Sequence, residues 1–190
     1  MRLKGTFNSE IRPILSEKKA IEAGVDPVED EALDITRKTR KALAKAPTPK
    51  YVWRKFAKFC GMHNWKGTSW FNPIPAGYNI NNFDMPIVER MCQEYGPVDK
   101  KSNKQDIFHK IYKIDLMDTV YMWMENQPKV NSISMDSMRD MMGMSKENAH
   151  DALQDVYDTA EILIKFMKLH REISPKVKFE KAFAHGNKLF

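Results

Sequence analysis

Two short apolar runs, Pro73 to Ile80 and Ile111 to Met117, each give way directly to a helical pattern, and that order restricts the fold more than anything else in the chain. Runs of this length suit buried strands, and strands alternating with helices point to an α/β domain. After the first run, Asp84 opens a helix with Pro86 in its first turn and Gly96 just past its end. The second run leads into a helix over Met117 to Asn126. Near the start, Gly5 to Ile14 alternates and ends at Pro13, which predicts a further strand. Asp26 to Glu31 is an acidic loop, followed by a short helix from Ala32 to Ala44. Arg37, Lys38, Arg40, Lys41 and Lys45 make that stretch basic, as a solvated face or as a contact to phosphate.

Thr48 and Pro49 are a helix start, after which Val52, Phe56, Phe59 and Cys60 recur at helical spacing. Trp65 to Trp70 reads as a loop around Gly67, and lysine-rich Gly96 to Lys110 as a mobile loop. Ser134 caps a short helix closed by Gly143. The last helix is expected from about Asn148 to Ile173, with Ala152, Leu153, Val156, Ala160, Leu163, Ile164 and Met167 as its apolar stripe. Pro175 stops it, so the chain divides into a domain over 1–174 and a basic tail over 175–190.

Composition sets looser bounds. With 190 residues and 42% apolar content, one domain with a real core is expected. The excess of 31 Lys and Arg over 25 Asp and Glu favours a polyanionic partner. Cys60 and Cys92 show no CxxC or disulfide spacing, which fits two reduced thiols in an intracellular protein. No apolar run approaches the ~18 residues of a membrane span, so a cytoplasmic location without a membrane partner is expected. The thirteen methionines read as soft core filler.

Chemistry enters through scattered acids and one histidine. Five residues turn an ideal helix by about 140°, so His150 and Asp155 converge only if His150 precedes the first turn. The polar stretch Ser145 to Asn148 supports such a loop. Asp84, at a strand-to-helix junction, could then meet Asp155 across the sheet edge. Acids gathered this way repel unless cations neutralise them, and Mg²⁺ or Mn²⁺ suits oxygen ligands. An imidazole that titrates near neutrality can accept a proton from an attacking water. Each piece also has a plain use: His150 as a cap or surface residue, Asp84 as an N-cap, and Asp155 with Asp158 and Glu161 as a solvated face carrying a Glu161–Lys165 pair.

Taken in order, the segments resemble a known family. Gly77-Tyr78-Asn79 with Phe83-Asp84, then Ile114-Asp115-Leu116-Met117-Asp118, then Ser134 to Arg139, then His150-Asp151-Ala152-Leu153-Gln154-Asp155 look like the DEDDh group of 3′–5′ exonucleases, in the flavour of stand-alone bacterial and phage enzymes. Glu31 to Thr36 followed by Thr39-Arg40 is similar to the same family, so the resemblance runs from about Gly5 to Ala184. It implies a ribonuclease H-like fold, a mixed sheet flanked by helices. It implies Asp84 and Asp155 as metal ligands, His150 as the general base, and Asn79 and Phe83 beside the terminal nucleotide. The implied reaction is hydrolysis of the last phosphodiester at a DNA 3′ end, single-stranded, with two Mg²⁺ or Mn²⁺ ions, releasing nucleoside 5′-monophosphates. The implied setting is the cytoplasm of a bacterial or phage-infected cell.

One part of the family pattern has no counterpart. The family opens with Asp-x-Glu on its first strand, and no Asp-x-Glu occurs in this sequence. The fold is therefore expected to lack its first two strands, and the metal site to be incomplete. Three accounts fit: an incomplete coding sequence, a strand supplied by a polymerase or another chain, or a decayed copy. Two other functions stand beside the exonuclease reading. One is a catalytically inactive module that binds nucleic acid or protein; the other is a hydrolase of short oligonucleotides.

Overall fold

Backbone pairing joins the two apolar runs in parallel, Ala76 opposite Ile114 and Gly77 opposite Asp115. The structure, a computed structural model, describes residues 2–24, 26–147, 149 and 151–177. Before the first strand come α1 (Glu17–Glu22), α2 (Asp30–Thr36), α3 (Arg40–Lys45) and α4 (Pro49–Gly61). Strand β1 (Ala76–Gly77) leads to α5 (Asp84–Tyr95), then to β2 (Ile114–Asp115) and α6 (Leu116–Met124). Helices α7 (Met135–Met142) and α8 (Ala152–Ile173) complete the mixed α/β arrangement.

Two apolar clusters flank the strand pair. In one, Trp53 and Cys60 of α4 pack on Met85, Val88 and Cys92 of α5, with Ile80 and Ile107. In the other, Leu116 and Val120 of α6 meet Met138 of α7 and Ile162 and Phe166 of α8. Methionines fill both clusters: Met85 and Met138 are buried, and Met91, Met135, Met142 and Met144 pack around them. Close approach explains one glycine, because a Cβ on Gly77 would lie 3.0 Å from the Cβ of Ile80. Another ends α5: Gly96 has φ of 73°, and its carbonyl accepts the Trp53 indole N–H at 2.6 Å. Cys60 and Cys92 are buried free thiols, and burial pushes them up to about 12 and about 11, so both stay protonated and unreactive. Among the described residues no helix is long and apolar enough to cross a membrane.

Several local expectations are corrected. Gly5 to Ile14 is not a strand. It is held by Phe7 against Phe56 and Phe59, with ring centroids 5.5 and 5.8 Å apart, while Leu3, Ile11 and Ile14 stay exposed. With no neighbouring strand to complete a ladder, alternation alone does not make one. The helix expected over Ala32 to Ala44 is two helices, broken where Arg37 turns left-handed with φ of 54°. Both strands are shorter than their apolar runs. Thr48 begins α4 without a side-chain capping bond, so Pro49 sets that start.

The loop from Gly96 to Lys110 is tied down rather than loose. Asp99 accepts from the backbone of Lys101 and Ser102 and from the Lys110 ammonium. Those contacts hold its carboxyl well below the usual range, the Lys110 ammonium foremost. Glu89 accepts the backbone N–H of buried Gln105. Helix α8 starts at Ala152, later than expected, and buries Asp158, Ile162 and Phe166 while Val156 is exposed. The stripe is rotated because a buried guanidinium, described below, draws a carboxylate inward. The tail expected over 175–190 falls outside the described residues from 178 onward.

Candidate functional site

Parallel strands present their C-terminal ends on one side, and in open α/β sheets that side is where ligands bind. There the chain leaves β1 through Tyr78 and Asn79, turns over 80–83, and enters α5 at Asp84. The chain leaves β2 at Asp115, which caps α6. One buried carboxylate organises both exits: Asp115 Oδ1 accepts the N–H of Asn79 at 2.9 Å and of Met117 at 3.1 Å, and Oδ2 accepts that of Asn81 at 3.1 Å. Three backbone donors offset its desolvation. Asn79 takes the left-handed conformation, φ 58°, that short polar residues tolerate, and its side-chain oxygen accepts from Asn82 at 2.9 Å. Phe83 stands 64% exposed at the lip of the turn.

Asp84 is the first residue of α5 and not its cap; that position belongs to Phe83. Partial burial raises the Asp84 carboxyl above the usual carboxylate range, its own backbone N–H works against this, and the nearby Asp115 carboxylate raises it further. The sign follows. A carboxyl with a higher pKa folded than unfolded binds more protons when folded, so its ionisation costs stability above the folded pKa and nothing below the ordinary ~3.9. Asp84→Asn is therefore expected to raise the unfolding free energy measured in urea at pH 7, by under ~1 kcal/mol, because the residue as a whole is exposed and its carboxyl only partly desolvated. The gain should vanish near pH 3.5, about half a unit below that ordinary value. A midpoint lowered at pH 7 would contradict this electrostatic account.

Helix α8 packs against β1. Asp151 caps α8, accepting the N–H of Leu153 and Gln154, and Asp155 lies in the first turn. Arg139 of α7 is 1% exposed and reaches three acids. Nε donates to Asp158 at 2.7 Å, one terminal nitrogen to Asp136 at 2.7 Å, and the other to Asp155. Gln154 completes Asp158 with a bond of 2.7 Å. Burial alone would lower the Arg139 pKa, but the bonds to Asp158, Asp136 and Asp155 raise it further than burial lowers it. Next to the start of α8, a polar cleft of about 240 Å³ is lined by Thr36, Arg37, Lys38, Asp151 and Gln154. Lys38 pairs with Glu10 at 2.7 Å at the edge of that cleft.

The structure thus places Asp84 beside Asp115 and Asp155 beside Arg139, and it sets Asn79 and Phe83 in the turn before Asp84. His150 lies outside the described residues. Sequence reasoning gives no role to Asp115 or Arg139, although both lie within the segments that resemble the family. Each had a signal: an acid at the end of an apolar run just before a helix, and a lone arginine among the methionines of α7. The Glu161–Lys165 pair forms at 2.9 Å, but Asp158 is buried and not on a solvated face.

Among the described residues no group of three or more His, Cys, Asp or Glu side chains is placed to hold a metal ion. Asp155 is also shared with a guanidinium, whose charge opposes a cation at that oxygen.

Comparison with known proteins adds one finding: the family model described as Exonuclease matches residues 16–163. No curated protein and no solved structure matches the chain.

Proposed function

Because this chain belongs to the Exonuclease family, whose fold is ribonuclease H-like and whose members generally use divalent metals, we propose that it is a 3′–5′ exonuclease acting on single-stranded DNA ends. The observation that carries the proposal is the nearness of Asp84, at the start of the helix that follows β1, to Asp115, at the C-terminal end of the parallel strand β2. Asp84 and Asp155 are two of the Mg²⁺ or Mn²⁺ ligands on this reading, and the remaining donors come from a polymerase or another segment or chain. Phe83 offers an exposed ring to the terminal base, Asn79 orients the turn beneath it, and His150 accepts the proton of the attacking water. The domain over 1–174 carries these residues, and the basic tail is an accessory to binding.

A second reading is favoured by one feature, the Arg139 bond to Asp155. A carboxylate already neutralised suits a catalytically inactive module that binds nucleic acid.

The test is release of mononucleotides from a 3′-labelled single strand in Mn²⁺ by the full chain. The expected result is release that disappears in Asp155→Asn and His150→Ala and falls severely in Asp84→Asn. Unchanged turnover in all three variants would end the exonuclease reading. Binding with a steep salt slope and no release would establish the inactive module instead. Activity confined to dinucleotides would point to a hydrolase of short oligonucleotides.

A further inference from the structure

Parallel strands also have a shared N-terminal side, opposite the turn that carries Asp84, and here that side is flanked by aromatic rings facing solvent. Trp70 precedes β1 and Tyr112 precedes β2, and they are 62% and 61% exposed. Between them His109 is buried, with Tyr112 stacked on it at 4.8 Å and 27° and Trp70 edge-on at 6.0 Å. The imidazole is locked in place. The backbone N–H of His109 donates to the Pro73 carbonyl at 2.9 Å, and the ring Nδ1 accepts the N–H of Ile111 at 3.2 Å and of Tyr112 at 3.0 Å. On the same loop Trp65, 74% exposed, meets Phe71 edge-on at 5.0 Å, with the Lys66 ammonium over both rings.

Exposed rings held this rigidly are a binding feature, because an isolated protein gains nothing by keeping them wet. Charge identifies the partner. No Asp or Glu occurs in 61–83 or 107–114, which carry Lys66, Lys110 and Lys113. Lys110 is bonded to Asp99, whereas among the described residues Lys66 and Lys113 have no carboxylate partner. Flat π faces among uncompensated cations match a polyanion whose own rings are open to stacking, which a duplex does not offer.

We infer that this face docks the body of a single-stranded nucleic acid, away from the terminus held beside Asp84, with bases stacking on Trp70 and Tyr112 and phosphates meeting Lys66 and Lys113. The nature of the partner rests on the exonuclease reading; the surface itself does not.

The test is fluorescence anisotropy with the full chain in EDTA, using a 3′-phosphorylated oligothymidylate of about 20 nucleotides, long enough to span a typical strand-binding site, and a trinucleotide. Trp70→Ala and Tyr112→Ala are each expected to weaken the long strand about tenfold, which is ~1.4 kcal/mol and within the range for one stacked base. The trinucleotide should bind as before. Trp70→Phe should retain most of the affinity, and Lys113→Glu should reduce the salt slope by about one. Unchanged long-strand affinity in both alanine variants would overturn the inference. So would equal losses for long strand and trinucleotide, or a Trp70→Phe as weak as Trp70→Ala. The two readings fail separately. Ring-dependent binding without nucleotide release in Mn²⁺ removes the exonuclease and leaves the docking face; release indifferent to both rings does the reverse.

Discussion

Arg139→Met is expected to cost about 3–5 kcal/mol, the typical penalty for stranding one half of a buried ion pair, and a large share of the ~5–15 kcal/mol that holds a domain together. The side chain is fully buried and serves Asp136, Asp155 and Asp158 at once. Without it, Asp158 at 4% exposure keeps only the Gln154 amide among the described residues. Methionine matches the volume and adds no donor, so the loss is electrostatic and not a cavity. Urea unfolding measures it. The double variant Arg139→Met, Asp158→Leu should recover much of the loss, because removing both charges avoids the stranded one. A single variant within ~1 kcal/mol of the parent would show that the hub contributes little to stability.

Asp115→Ala should remove about 2–4 kcal/mol, since the N–H groups of Asn79, Asn81 and Met117 all lose their acceptor. Only water reaching the partly exposed turn limits the loss. The effect on function should be larger than on stability, because Asn79, Phe83 and Asp84 share that turn. Asp115→Asn separates the two contributions: its carbonyl can still serve Asn79 and Met117, but its amide meets the Asn81 N–H donor to donor. Intermediate stability is expected for Asn, measured by thermal unfolding at neutral pH. If Asn and Ala both melt with the parent, Asp115 does not anchor the turn.

These two residues also mark where reading the sequence stopped. The α5 boundaries, with Asp84 at the start and Gly96 at the end, were legible because caps and glycine signals are local. The same holds for Ser134 and Gly143 around α7. Gly5 to Ile14 alternates like a strand and forms none, because a strand needs a neighbour and local alternation does not supply one. The phase of α8 is not legible in the sequence, because apolar spacing alone favours Val156, whereas Arg139 across the core draws Asp158 inward. The loop from Gly96 to Lys110 looked loose on composition, yet Asp99 and Glu89 fasten it through contacts no window of sequence displays.

Order along the chain was therefore enough for the α/β class, the two strand-to-helix junctions and the family, since each rests on neighbouring residues and their spacing. Which acids share a neighbourhood needed three dimensions. Asp84 is coupled to Asp115 from 31 positions away, and Asp155 is tied to Arg139. Charges act through space, and packing of separate elements sets the distances that matter.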